Sequence, residues 1–105
     1  MNIHKLMKQA QQMQQQLAKV QEEAAAKTVE GVAGGGMVKA VASGDGKIVS
    51  ITIDPEVLTQ NDKEMLEDLV LAAVNTAIDN AKAMTSEEMK KAAGGFNMPG
   101  LENML

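Results

Sequence analysis

Five polar side chains near the start of the chain recur at helical spacing. They are Lys5, Lys8, Gln12, Gln15 and Lys19, set at steps of three, four, three and four. Their types suit one kind of chemistry. Ammonium groups neutralise phosphates and release counterions, while glutamine amides donate to phosphate or sugar oxygens or meet base edges. No acid stands between Met1 and Gln21, although the chain carries a net charge of -4. The acids collect later. From Asp54 to Asp79 the chain holds Asp54, Glu56, Asp62, Glu64, Glu67, Asp68 and Asp79 against Lys63 alone. Net charge hides this sorting. A lysine and glutamine face is also what a solvated helix presents to water, so the spacing by itself leaves both readings open.

Other chemistries lack their parts. There is no cysteine, which removes disulfides and thiolate metal sites. His4 is the one histidine and has no partner for a metal site. Gly34, Gly35 and Gly36 lack the lysine and hydroxyl residue of a phosphate loop, and a strand rather than a helix should follow them, so they read as a turn. Glu67 and Asp68 have neither a nucleophile nor a cleft beside them in the pattern. We therefore expect no enzyme and no cofactor. The chain has no arginine, which removes bidentate guanine contacts, and one aromatic residue, Phe96, which leaves little for stacking on single strands.

These side chains need elements to hold them. Ile3, Leu6, Ala10, Met13, Leu17, Val20 and Ala24 form a heptad seam, and no glycine or proline interrupts before Gly31. The pattern predicts a helix over 2–26, about 37 Å long. With Ile3 at position a, the lysines and glutamines fall on positions c and f, opposite the seam. Three short strands are expected over 28–53. A hairpin turn at Gly44, Asp45 and Gly46 joins the second to the third, in which Val49, Ile51 and Ile53 share a face. A second helix is expected over 62–93, capped by Asn61 with Glu64 or by Thr59 with Asp62. Thr85 and Glu88 resemble a second capping box at which it would bend or restart. Leu69 to Val74 is apolar on all sides and should be buried. The methionines at 7, 13, 65, 84 and 89 read as core filler. Residues 94–105 read as a flexible tail after a single domain, 1–93.

The order is α-β-β-β-α, an α+β fold with a small antiparallel sheet. A compact body of this length has a radius of gyration of roughly 13 Å. Helices of about 37 Å and up to about 48 Å must project from it, with their apolar seams in water. A second copy of the chain is the simplest cover, so a homodimer is expected. No run of apolar residues is long enough to span a membrane, and the start lacks the apolar core of a signal peptide. We expect a cytoplasmic protein with neither a membrane partner nor a small-molecule substrate.

Two segments carry a resemblance. KLMKQAQQMQQQLAKVQEE near the start and DKEMLEDLVLAAVNTA from Asp62 to Ala77 resemble the signature segments of the YbaB/EbfC family of bacterial nucleoid-associated proteins. IDPEVL from Ile53 to Leu58 and the tail containing glycine and methionine fit as well. The resemblance implies a tweezer-like homodimer that binds duplex DNA in the nucleoid, with a role in nucleoid organisation or gene regulation. The family's frequent neighbourhood to recombinational repair genes adds recombination or repair proteins as candidate partners. Carried over by position, the candidate DNA contacts are Lys5, Lys8, Gln12, Gln15 and Lys19. Lys82, Lys90 and Lys91 join them as partial compensation where family members carry arginines and this chain has Asp79, Asn80, Ala81 and Lys82. The alternative is a protein-binding adaptor that clasps partner helices without binding DNA.

Overall fold

The computed structural model describes residues 2–94. The expected tail, with Phe96, lies outside the described residues except for Gly94, which closes the last helix. The elements are α1 (Ile3–Ala26), β1 (Thr28–Ala33), β2 (Val38–Ser43), β3 (Ile48–Ile53), α2 (Pro55–Thr59) and α3 (Lys63–Gly94). The three strands form one antiparallel sheet in the order β1-β2-β3. This is the expected α+β arrangement, with a short extra helix, α2. Asp54 and Pro55 do end β3, but they also start a helix. The Asp54 carboxylate accepts from the Glu56 N–H at 2.9 Å, and Pro55 occupies the first turn, where its missing N–H costs nothing.

α3 is capped by Asp62, whose side chain accepts from the Met65 N–H at 3.0 Å. Neither cap pair expected from the sequence forms this bond; Asn61 instead takes a positive φ of 51 in the link before it. The helix then runs unbroken through Thr85 to Gly94. No restart occurs: the part-buried Thr85 hydroxyl, instead of capping a new helix, donates to the Gly44 carbonyl at 2.8 Å.

One face of the sheet is built for close approach. Pairing Val29 with Ala42, Gly31 with Ala40 and Ala33 with Val38 puts small residues side by side beneath α3. Val38, Ala40 and Ala42 are buried there against Ala73, Ala77 and Ala81, which stand at i, i+4, i+8 on α3. Gly31 has no room for a side chain: a Cβ would collide with the Ala77 nitrogen and the Ala73 carbonyl oxygen. The sheet and the α3 backbone therefore pack at methyl thickness, which brings many atoms together but buries few large groups.

That geometry leaves apolar surface outside. Val38 and Val57 are the largest side chains fully buried among the described residues. Leu71, in the stretch expected to be buried on more than one side, is 61% exposed, because a single sheet covers a single side of α3. Met7 is exposed too, whereas Met13, Met65, Met84 and Met89 are half-buried. In β3 a bulge breaks the expected alternation. Ile53 and Ile51 oppose Val38 and Ala40, but the register then shifts so that Ile48 opposes Ala42 and Val49 is left out, exposed. The molecule is long: its extents are 71 × 23 × 16 Å and its radius of gyration is 19.6 Å, well above the roughly 13 Å of a compact chain of this size.

Candidate nucleic-acid interface

α1 is held at one end. Its last turn lies against the β2–β3 turn so tightly that a Cβ on Gly44 would meet the Ala24 carbonyl oxygen. Just beyond, Lys27 Nζ lies 2.9 Å from Glu88 Oε1 on α3. The hydrogen bond from Lys27, with the charge behind it, holds the Glu88 carboxyl below the ordinary carboxylate range. Together with the Thr85–Gly44 bond, these contacts tie α1, the hairpin and α3 at one junction.

From that junction α1 reaches outward. Along its seam Ala24 is buried, Val20, Leu17 and Met13 are half-buried, and Ala10, Leu6 and Ile3 are exposed. Ile3 reaches 64%. At the free end the Asn2 side chain accepts from the Lys5 N–H at 3.2 Å, and no acid stands in the first turn. The positive end of the helix dipole therefore adds to Lys5 instead of being neutralised.

Lys5, Lys8, Gln12, Gln15 and Lys19 are all exposed on α1. Their spacing keeps them within about 80° of arc, on the side away from the seam, over a length of about 21 Å. Gln16 joins Gln12, Gln15 and Lys19 around a shallow depression on this face. Gln16 is not among the contacts expected from the sequence; its place four residues after Gln12 is the signal that points to it. Ion pairing separates the lysines further. Lys27, Lys39 and Lys47 pair with Glu88, Glu30 and Asp45, whereas Lys5, Lys8 and Lys19, like Lys63, Lys82, Lys90 and Lys91, are in no ion pair among the described residues.

Lys82, Lys90 and Lys91 are exposed on α3, but they do not make a second stripe. Nine residues separate Lys82 from Lys91, which puts them about 180° apart around the helix. Lys91 also sits close enough to Glu88 to help hold its carboxyl ionised. Five of the acids have local tasks: Asp54 and Asp62 cap helices, Glu88 and Glu30 pair with lysines, and Asp45 binds Ser43 and Lys47 in the hairpin turn. The Ser43 hydroxyl, with help from Lys47, keeps the Asp45 carboxyl below its usual range.

The chain as a whole, a helix ahead of a small sheet and the long α3, can be compared with known proteins. The profile of the YbaB/EbfC DNA-binding family matches residues 1–96. The chain belongs to that family. Within it, a nucleoid-associated protein of Caldanaerobacter subterraneus subsp. tengcongensis is 61% identical over 95% of this chain and 90% of its own length. Another, of Pelotomaculum thermopropionicum, is 52% identical over 95% of both chains. A third, of Desulfotalea psychrophila, is 45% identical over 100% of this chain and 99% of its own. Among solved structures, an uncharacterised Helicobacter pylori protein shares the fold, with a TM-score of 0.61 at 23% identity, over 74% of this chain and 90% of that one. The YbaB/EbfC family and these relatives are named for DNA binding and the nucleoid, not for catalysis. No helix among the described residues is long and apolar enough to cross a membrane.

Proposed function

We propose that this protein binds duplex DNA as a homodimer, through the phosphate backbone, and helps organise the bacterial nucleoid or regulate genes there. The observation that carries the reading is the unpaired ridge of Lys5, Lys8 and Lys19, with Gln12 and Gln15 between them, on an exposed helix in a member of a DNA-binding family. Backbone contact by lysines is independent of sequence and depends on salt. Lys82, Lys90 and Lys91 add positive charge on α3 without forming a continuous face. The dimer is supported by uncovered apolar side chains, among them Ile51, Leu58 and Leu71, which one small core cannot absorb. Dimer symmetry presents two α1 ridges to one duplex.

The test is a DNA titration at two salt concentrations beside a mass determination in solution. A dimer whose affinity falls steeply with salt is expected. Binding no tighter than that of an equally acidic control would sink the reading. The exposed Ile3, Leu6 and Met7 at the tip of α1 favour one rival, an adaptor that clasps partner helices. Recombination or repair proteins are candidate partners for either reading. Partners that stay bound after nuclease treatment, with no duplex affinity, would support the adaptor.

A further inference from the structure

We propose that α1 enters the major groove of the duplex and that Gln12, Gln15 and Gln16 read adenine there, giving the protein a preference for A·T-rich DNA. This rests on the DNA-binding reading above and adds a base-reading function to the same face. Three observations carry it. The first is access. Every residue from Asn2 to Gln12 is exposed in the protomer, and beyond it Gln15, Gln16 and Lys19 stay exposed on the side away from the half-buried Met13 and Leu17. A bare helix about 10–12 Å across fits a major groove about 12 Å wide, whereas a helix packed on both sides does not.

The second is the order of charge along the ridge. Lys5 and Lys8 stand at one end, Lys19 at the other, and the uncharged amides lie between. Lys8 and Lys19 are eleven residues apart, about 16 Å along the axis. With the helix lying along the groove, the lysine side chains before and after the amides reach flanking phosphates while the centre of the helix faces base edges.

The third is the chemistry of that middle. Gln12, Gln15 and Gln16 surround one depression with Lys19. A glutamine amide offers a donor and an acceptor in one plane, the complement of adenine N7 and N6. The chain has no arginine with which to favour guanine.

The full chain would be titrated by fluorescence anisotropy against duplexes of equal length: A·T-rich, G·C-rich, and A·T-rich with 7-deazaadenine throughout. The last lacks the N7 acceptor but keeps the phosphates and the minor groove. We expect the A·T-rich duplex to bind about fivefold tighter or more, the lower bound for one bidentate contact, and the 7-deaza duplex to fall to the G·C level. The Q12A/Q15A/Q16A variant should bind all three alike with its salt slope kept; its circular dichroism should match the parent, since the three positions are exposed on a helix and alanine favours helix. Equal binding of the adenine and 7-deazaadenine duplexes, or a preference that survives the triple substitution, overturns base reading and leaves backbone binding standing. Failure to bind any duplex overturns both.

Discussion

Lys27 Nζ and Glu88 Oε1 meet at 2.9 Å, joining the end of α1 to α3 across 61 residues of sequence. The pair sits at the junction from which the ridge projects, so it bears on where the candidate DNA face points. Its partners are only partly covered, so its effect on stability is modest and sensitive to salt.

The pair should leave a pH signature. Lys27 holds the Glu88 carboxyl below its ordinary value. A carboxylate whose folded pKa is depressed adds stability above its unfolded pKa and loses it as pH falls through the folded value. E88Q should therefore melt slightly below the parent near neutral pH, and the two curves should converge once the medium is more acidic than the usual carboxylate range. The gap should also shrink in concentrated salt. Parallel curves at all pH values would mean that the pair does not hold the junction.

Gly31 should not tolerate a side chain. In G31A the new Cβ meets backbone of Ala73 and Ala77, and backbone cannot swing aside as a side chain tip can. The variant should lose about 1–3 kcal/mol in urea denaturation, the usual range for overpacking. Gly35, whose Cβ would meet nothing, is the control for space, although its positive φ adds its own strain.

T85V removes a donor while keeping volume. The Gly44 carbonyl loses its bond from the Thr85 hydroxyl, and the loss should be about 0.5–1.5 kcal/mol. Hydrogen exchange should show faster opening of the last turn of α1, which lies against Gly44. Unchanged exchange there would mean that the junction is held by packing alone.

The two sets of lysines should differ on DNA. K5A/K8A/K19A should flatten the log-log salt dependence by about 0.9 for each phosphate that is no longer neutralised, similarly on all sequences. K82A/K90A/K91A should change it less, because those three do not share a face. Equal effects from both triples would argue for a diffuse charge effect over a ridge.

Removing exposed apolar groups tests assembly. L71D places a charge where the protomer leaves Leu71 uncovered. Light scattering should give about twice 11.1 kDa for the parent and a lower mass for this variant. A monomeric parent would remove the dimer from the proposal.

Much of this protein was legible in its residues. The three-four spacing of Ile3 to Ala24 defined both the helix and its outer face, because side chains at that period must share a side whatever they pack against. The strands followed from β-branched runs between glycine turns, and the family from two segments at the right separation. What the sequence could not decide were contacts between distant residues. Asp62 rather than Asn61 or Thr59 caps α3, since cap choice depends on how the chain leaves α2. The bulge that expels Val49 comes from strand register, which alternation assumes and does not measure. The split among the lysines is tertiary as well: Lys27 and Lys5 look alike in the string, but folding brings Glu88 to one and no acid among the described residues to the other. Local spacing determines which face a side chain occupies; only the packing of remote segments determines what shares that face with it.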